Sequence, residues 1–290
     1  MFLDFDQNAI KENLTTLKFD VTKFWQILTA PTFPENEART WVNDHFYLAI
    51  QISILYICVI FGTKLFMKNR EPFQLRFPLI TWNFFLAYFS ILGTWNLTGD
   101  FFDSITKYGA INSLCLNRGF TSGTTGFWAW LFVISKLLEL VDTVFLILRK
   151  RPLMFLHWYH HILTLIYMFY SYPYAPGFNR WGIYFNYFVH SFMYSYYFLQ
   201  SMKIKIPRIL AQLITSLQIV QFIISVFCIL YLAFFIYFQG YQCDFEHKVF
   251  ALAIFMDFTY LLLFINFFYQ AYIKRGGKSK YQNQNGKKEI

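Results

Sequence analysis

Long stretches of this 290-residue sequence contain no Asp, Glu, Lys or Arg. Six of them cover residues 45–63, 77–99, 119–135, 152–179, 181–202 and 209–243. The third stretch continues to Leu148 with three charged interruptions, and a seventh runs from 249 to 273 with one, Asp257. A helix of about 20 apolar residues is long enough to cross the hydrocarbon core of a bilayer. The pattern therefore predicts seven transmembrane helices.

The composition points to the same class of protein. Hydrophobic residues make up 57% of the chain and charged residues only 14%, whereas a soluble domain carries about 25% charged residues. Such a chain cannot cover a water-exposed surface, and with 38 Phe and only four Cys it is neither disordered nor a disulfide-dense secreted scaffold. We predict an all-α integral membrane protein in which residues 1–290 form a single membrane domain. The predicted spans are about 43–63, 77–98, 126–148, 153–172, 180–201, 208–238 and 248–272, followed by a basic cytosolic tail at 274–290.

The distribution of basic residues predicts the orientation of the chain. The net charge is +9, but the Lys and Arg residues form small clusters between apolar runs and not one basic face, so we expect no nucleic-acid partner. With the N-terminus outside, the inner segments hold sixteen Lys and Arg, against four in the opposite loops and four in the N-terminal segment. This excess places the N-terminus in the lumen and the C-terminus in the cytosol.

Three features follow from that orientation. Cys115 and Cys243 fall in luminal loops, where an oxidising compartment permits a disulfide, although two free thiols stay open as the alternative. Asn13 begins a luminal sequon and is a candidate for glycosylation. Lys287 and Lys288 stand fourth and third from the C-terminus and look like a di-lysine signal for retrieval to the endoplasmic reticulum.

Three charged residues interrupt the third predicted span. Lys136, Glu139 and Asp142 are spaced three apart, which places them within an arc of about 120° on a helix. Each uncompensated charge at a helix centre costs about 2.5 to 3.5 kcal/mol on insertion scales, so they must face the bundle interior, pair with one another or become neutral. The plain alternative is a structural ion network without a function.

The next three predicted spans also carry polar residues at helical spacing. They are His157, His160 and His161 on the fourth, Asn186, His190, Tyr194 and Tyr197 on the fifth, and Thr215, Gln218 and Gln221 on the sixth. One buried histidine is usually a satisfied core group, but so many polar groups in the cytosolic half of a membrane are hard to explain as packing. We therefore expect a functional polar chamber.

The histidines also permit a metal-site interpretation. Membrane desaturases and hydroxylases gather iron with several histidine boxes and about eight histidines, whereas this chain has six, and His45 and His247 are luminal on the predicted topology. A zinc site of three or four histidines is geometrically open. Metal-free histidine chemistry fits better, and we expect neither a metal nor a cofactor.

Four motifs in order resemble the ELO family of fatty acid elongases. KLLELVDT at 136–143 is similar to its KxxExxDT box, and FLHWYHH at 155–161 to its HxxHH box. NYFVHSFMYSYY at 186–197 resembles its NxxxHxxMYxYY box, and TSLQIVQ at 215–221 its TxxQxxQ box. The resemblance extends more loosely from about residue 40 to the tail, and the paired luminal cysteines also fit it.

This resemblance implies a reaction and a fold. The reaction is the condensation of a long-chain acyl-CoA with malonyl-CoA to give 3-oxoacyl-CoA, CO2 and CoA, at the endoplasmic reticulum membrane. The fold is a seven-helix bundle in which helices two to seven form a barrel around an acyl tunnel that is open to the cytosol and closed toward the lumen. The expected partners are membrane lipid and the ketoacyl-CoA reductase, dehydratase and enoyl-CoA reductase of the elongation cycle, and a homodimer is left open.

Roles for the motif residues follow from their chemistry. Since a thioester is already activated, a neutral imidazole can attack it and form an acyl-imidazole, and we expect His160 to be this nucleophile. His190 would bind the enolate oxygen or handle a proton, Glu139 and Asp142 would orient His157 or His161, and Lys136 would balance the acids. The expected substrate-binding residues are Asn186, Tyr194, Tyr197, Gln218, Gln221, Arg149 and Lys150. Arg149 and Lys150 serve equally well as positive-inside anchors.

The substrate class and the competing functions are less sharply defined. Elongases of polyunsaturated chains usually have a glutamine where this chain has Pro152. The HWYHH sequence of the histidine box instead resembles that of members acting on saturated, monounsaturated or methyl-branched chains. Asp257 departs from the family pattern, and only a local hydrogen bond is expected there. In a receptor, the polar cluster would serve a ligand that arrives from outside the cell. A proton-coupled transporter would show two halves of related sequence.

Overall fold

A computed structural model describes residues 19–274 of the chain. The predicted glycosylation site at Asn13 and the predicted di-lysine signal at Lys287 and Lys288 lie outside these residues. So does the basic tail beyond Lys274.

Within the described residues the fold is entirely helical. The α-helices are α1 Val21–Thr29, α2 Glu35–Asp44, α3 Phe46–Phe66, α4 Arg76–Cys115, α5 Gly123–Leu148, α6 Phe155–Ser171, α7 Asn179–Ser201, α8 Arg208–Gln239 and α9 His247–Phe268. A 3-10 turn, Tyr172–Tyr174, follows α6, and a π-helical turn, Tyr269–Ile273, follows α9. This confirms the all-α fold class.

Four of these helices, α3, α4, α8 and α9, are long and apolar enough to cross a membrane. Together they establish the membrane-protein character of the chain. The polar motif residues lie mainly on three other helices, α5, α6 and α7, and polar side chains lower the hydropathy on which such a criterion depends. The α6 helix is also short, with 17 residues. The count of seven crossing helices stays a prediction.

The second long helix is longer than the sequence predicts. The predicted span ends at residue 98, but α4 continues to Cys115 and bends at Gly109, which has φ 80°. In this extension Asp103 and Lys107 form an exposed ion pair at 2.6 Å. An apolar run marks only the segment that lipid can surround. Ion pairs at i,i+4 spacing stabilise a helix in water as well, so a helix can continue beyond its apolar run. The helix therefore extends beyond the predicted span, whose boundary near residue 98 stays a prediction.

Prolines precede two helices without entering them. Pro207 is the residue before α8, and Pro152 lies three residues before α6, so neither lies inside a helix. The far end of α8 agrees with the prediction. Its last residue is Gln239, because Gly240 adopts a left-handed conformation with φ 66°.

One end of the bundle, which we call the basic end, holds the connections 67–75, 149–154 and 202–207. Hydrogen bonds tie these connections to one another. The Lys150 Nζ donates to the carbonyl of Lys68 at 3.2 Å. The Arg76 guanidinium donates to the carbonyls of Ser201 and Met202, each at 3.3 Å.

The opposite end, which we call the disulfide end, holds the connections 116–122, 172–178 and 240–246. Cys115, the last residue of α4, forms a disulfide with Cys243, which is the pair considered from the sequence. Asp244 donates its backbone N–H to the Cys115 carbonyl at 2.9 Å. The Asn117 side chain donates to the Ala175 carbonyl at 2.8 Å, so all three connections are fastened together.

A buried arginine organises the same end. Arg180, at the start of α7, is 2% exposed. Its Nε donates to the Asp100 carboxylate at 2.8 Å, and its other nitrogens donate to the carbonyls of Ser113, Leu116 and Asn117. These bonds satisfy the buried guanidinium of Arg180. From the sequence pattern, Arg180 is only a cation in a loop.

The helices pack in a defined order. α4 contacts α5 and α7, α7 contacts α8, α8 contacts α9, α9 contacts α6, and α6 contacts α5. α3 packs against α5 and α6, and α2 packs against the 3-10 turn after α6. The Arg39 guanidinium fastens α2 there by donating to the Pro173 carbonyl.

Candidate active site

A buried ion pair lies at the centre of the bundle on α5. The Lys136 Nζ lies 2.6 Å from Glu139 Oε1, and the two side chains are 2% and 4% exposed. Lys136 also donates to Asn186 Oδ1 at 3.0 Å and lies 4.0 Å from the centre of the Phe132 ring. Ser135 donates to the same Glu139 oxygen at 3.2 Å. Helical spacing therefore correctly placed Lys136 and Glu139 toward the interior, and Asn186 joins them from α7.

The second carboxylate on this face, Asp142, has different partners. The Trp82 indole N–H donates to Asp142 Oδ1 at 2.5 Å, and the Tyr194 hydroxyl donates to Oδ2 at 2.8 Å. Trp82 is on α4 and Tyr194 is on α7, so the carboxylate joins three helices. Asp142 was expected to orient a histidine, but its hydrogen bonds go to these two aromatic residues, because they close over both oxygens.

His157 is held by a hydroxyl chain. Its Nε2 lies 2.9 Å from the Thr143 hydroxyl, which lies 2.6 Å from the Tyr56 hydroxyl. Thr143 belongs to the first motif, and Tyr56 comes from α3. The hydroxyl of Thr143 thus does for His157 what a carboxylate was expected to do. The His161 ring, 4.5 Å from that of His157, packs beside it.

His160 differs from its two neighbours on α6. Its ring packs against Tyr260 of α9, with ring centres 4.8 Å apart, and the Tyr260 hydroxyl donates to the His160 carbonyl at 3.0 Å. Thr164 shares that hydroxyl at 2.8 Å. Among the described residues, no hydrogen bond reaches a ring nitrogen of His160, and the side chain lines an internal cavity. The backbone of His160 is therefore fixed while its imidazole stays open to a ligand.

His190 faces the same region from α7. Its Nδ1 lies 3.9 Å from Glu139 Oε1, which is beyond hydrogen-bond distance. Its ring is perpendicular to that of Tyr194. The other Glu139 oxygen, Oε2, is buried without a partner among the described residues. A small shift, or a bound molecule, would satisfy both groups.

A cavity of about 70 Å³ lies between α6, α7, α8 and α9. His160, Asn186 and Gln221 line one part of it, and Leu114 and Phe178 line its far part toward the disulfide end. Its wall on α6 runs from His160 to Met168, which corresponds to about 12 Å along the helix. Most of the remaining wall is apolar, so the space suits a hydrocarbon chain that ends at a polar head.

Several predicted site residues lie outside this cavity. Tyr197 is 42% exposed, and Gln218 donates to the Met193 sulfur at 3.4 Å. Arg149 and Lys150 lie in a connection of the basic end, where Lys150 is exposed. The substrate-binding roles expected for these residues stay predictions.

Sequence reasoning missed four groups that hold the site together. Trp82, Tyr56 and Tyr260 lie outside the motifs, and Arg180 was assigned to a loop. Nothing in the local sequence distinguishes Trp82, Tyr56 and Tyr260 from the other aromatic residues of the bundle. Thr143 could have been found, since it closes the first motif.

The described residues contain no group of three or more His, Cys, Asp or Glu side chains placed to hold a metal ion. His157 and His161 are neighbours, but His157 is bonded to Thr143 and His190 lies near Glu139 on α5. The donor set therefore does not converge on one point.

Comparison with known proteins gives one family. Residues 41–280 match the family model described as "ELO: GNS1/SUR4 family". The chain is 57% identical over 278 residues to long chain fatty acid elongase 1 of Caenorhabditis elegans, covering 95% of this chain and 96% of that protein. It is 42% identical over 247 residues to very long chain fatty acid elongase 6 of Drosophila melanogaster (84% and 78% covered). It is 36% identical over 248 residues to human very long chain fatty acid elongase 3 (86% and 91% covered).

Proposed function

Because this chain belongs to the ELO (GNS1/SUR4) family of fatty acid elongases, we propose that it condenses a long-chain acyl-CoA with malonyl-CoA to 3-oxoacyl-CoA, CO2 and CoA. The observation that carries the proposal is the position of His160. Its imidazole, without a hydrogen-bond partner among the described residues, lines a largely apolar cavity. Such a ring has a lone pair available for a thioester at the end of a hydrocarbon chain.

The first half of the reaction transfers the acyl group to the enzyme. A ring nitrogen of His160 attacks the thioester carbonyl, the C–S bond breaks, and CoA leaves as a thiolate that takes up a proton. The imidazole loses its N–H proton in exchange, and an acyl-imidazole results. Asn186 and Gln221 line the same part of the cavity and stabilise the developing oxyanion without bringing in a charge.

The second half forms the new C–C bond. Malonyl-CoA loses CO2, and the electron pair of the broken bond forms an enolate that attacks the acyl-imidazole carbon. The C–N bond then breaks, and the leaving nitrogen of His160 takes up a proton from water, which restores the neutral imidazole. His190, 3.9 Å from Glu139, binds the enolate oxygen or moves its proton. Lys136 neutralises Glu139 and holds Asn186 in place.

The substrates reach this site from the basic end. Burial, and next to it the charge of Arg151, lower the pKa of the Arg149 guanidinium. A CoA phosphate at Arg149 and Lys150 would offset both effects. We extend the proposal to a cytosolic basic end, a luminal disulfide end and residence in the endoplasmic reticulum membrane. The reductases and the dehydratase of the elongation cycle would act on the product.

The helix order supports a barrel. The successive contacts among α4, α7, α8, α9, α6 and α5 close on themselves, and α3 packs outside them. We propose that these six helices surround the acyl tunnel and that all seven long helices cross the membrane. The preferred chains are saturated, monounsaturated or methyl-branched.

The test of this function uses the full-length protein purified in detergent. We expect release of labelled CO2 from malonyl-CoA only when a long-chain acyl-CoA is present, with a 3-oxoacyl-CoA as the product by mass analysis. His160→Ala should abolish both, and His161→Ala should be assayed beside it as a matched variant on the same helix. Thermal unfolding of each variant separates loss of chemistry from loss of fold.

Two results would contradict the proposal. Absence of acyl-dependent decarboxylation across a series of chain lengths would remove the condensation reaction. Normal turnover by folded His160→Ala would leave the reaction in place but remove the acyl-imidazole.

A further inference from the structure

A carboxyl group stands in the wall of the acyl cavity, away from the catalytic motifs. Asp257 of α9 lines the cavity and is 6% exposed. The Ser225 hydroxyl of α8 donates to Asp257 Oδ2 at 2.7 Å. Ser225 lines the cavity too, so the pair presents polar atoms to the space that the acyl chain would occupy.

This pair is not explained as an ion pair. No Lys or Arg is among the residues that line the cavity. Within the part of the chain that the structure describes, Ser225 is also the one side chain hydrogen-bonded to Asp257. A single hydroxyl donor leaves most of the acceptor capacity of a carboxyl group unused. Such a group is costly inside a membrane protein and by default marks a functional site.

The depth of the pair relative to His160 can be read from the helices. Tyr260, whose ring packs on that of His160, follows Asp257 by three residues on α9, which is about 4.5 Å along the axis. Ser225 follows Gln221 by four residues on α8, or about 6 Å. The step from Tyr260 to Asp257 on α9 and the step from Gln221 to Ser225 on α8 both lead toward the disulfide end. The Asp257–Ser225 pair therefore lies roughly one helical turn beyond His160.

Beside the pair, the wall on α8 and α9 is apolar, and the polar groups of Tyr167 and Asn179 that also line the cavity are hydrogen-bonded to each other. Cys228 and Ile229 follow Ser225 on α8, while Ala253 and Met256 precede Asp257 on α9. A plain hydrocarbon chain would place methylene groups against the carboxyl and give it no hydrogen bond. A chain with a small neutral hydroxyl at that depth would supply the missing partner.

We propose that Asp257 and Ser225 form a subsite for a hydroxyl group on the acyl chain, so that hydroxylated fatty acyl-CoAs are bound in preference to unsubstituted ones. The inference rests on the proposed use of this cavity by the acyl chain. The substrate hydroxyl donates to Asp257, and the Ser225 hydroxyl is positioned to exchange hydrogen bonds with both. A carboxylate on the acyl chain would be repelled by the Asp257 carboxyl group, and a cationic group on the chain would have to be transferred out of water.

A positional binding profile tests the subsite without requiring turnover. Purified full-length protein in detergent is titrated with stearoyl-CoA and with monohydroxystearoyl-CoAs that carry the hydroxyl at successive carbons, each competing against labelled stearoyl-CoA. We expect a narrow window of adjacent hydroxyl positions that bind about tenfold more tightly than stearoyl-CoA, since one hydrogen bond gained by a buried polar group is worth up to about that factor. Hydroxyls outside the window should bind more weakly than stearoyl-CoA because they meet apolar walls.

Variants then assign the window to this pair. Asp257→Leu should abolish it and tighten the binding of stearoyl-CoA, while Ser225→Ala should reduce it. Asp257→Asn keeps the shape and part of the hydrogen bonding, and it serves if Asp257→Leu does not fold. Thr259→Val is the matched control, because Thr259 is a hydrogen-bonded neighbour on α9 that does not line the cavity.

The outcomes separate this inference from the proposed function. A flat hydroxyl profile with normal stearoyl-CoA binding would overturn the subsite and leave the elongase in place. Failure to bind any acyl-CoA would overturn both. A window that survives Asp257→Leu, with only thermal stability lost, would reduce the pair to a tie between α8 and α9.

Discussion

The buried Lys136–Glu139 pair shows how charged residues are tolerated inside a membrane bundle. Each charge would be strongly destabilising alone, and the two are compensated by their 2.6 Å contact together with Asn186 and Ser135. Removing one partner of such a pair leaves an uncompensated buried charge, whereas replacing both by apolar groups is often neutral. Catalysis and stability can therefore be separated at this site.

We predict that Lys136→Met lowers the free energy of unfolding by about 3 to 5 kcal/mol. The double variant Lys136→Met with Glu139→Leu should recover most of that loss, because no charge is then left without a partner. Neither should catalyse condensation. Thermal or detergent-induced unfolding gives the stabilities, and labelled CO2 release gives the activities. Equal stability of the single variant and the wild type would show that water or a proton already satisfies Glu139.

At the scale of single residues, the sequence predicts which face of a helix points inward better than it predicts which residues that face contacts. Lys136, Glu139 and Asn186 were found because helical spacing places polar groups on one side of a helix. Asp142 was also placed inward, but its partner Trp82 was not found. Contacts between distant helices depend on packing, which the local sequence around an aromatic residue does not encode.

At the scale of elements, the charge-free runs locate the helices, while the close approach of two helices depends on small residues. A Cβ added to Gly93 of α4 would overlap the ring of Tyr187 on α7. That ring is fixed, since its hydroxyl donates to the Trp128 carbonyl at 3.1 Å. A Cβ added to Gly99, on the same helix as Gly93, would have no atom within 4 Å.

We predict that Gly93→Ala destabilises the protein by about 1 to 3 kcal/mol through overpacking between α4 and α7. Gly99→Ala on the same helix should be neutral or more stable by up to about 1 kcal/mol, since alanine favours a helix over glycine. Thermal unfolding of both variants under identical detergent conditions is the measurement. Equal stabilities would mean that Tyr187 moves aside freely and does not set the helix spacing.

At the scale of the whole molecule, the fastened disulfide end and the helix order place the cavity between α6, α7, α8 and α9. The sequence alone indicated an interior chamber. It could not separate the cavity wall from the lipid face, because aromatic and aliphatic residues are equally suited to both. The residues that line the cavity, such as Gly182, become visible only when all four helices are in place.

Gly182 of α7 gives the last test, since it lines the cavity and an added Cβ there would meet no atom within 4 Å. Gly182 is exposed, so Gly182→Phe should be accommodated without a clash at this opening in the cavity wall, and its ring should shorten the longest product by at least one elongation cycle. Gly62→Phe is the control, because Gly62 of α3 also has open space but does not line the cavity. Product chain lengths are measured by mass analysis after incubation with a series of acyl-CoAs. An unchanged product range in Gly182→Phe, or an equal shift in both variants, would show that this cavity does not measure the chain.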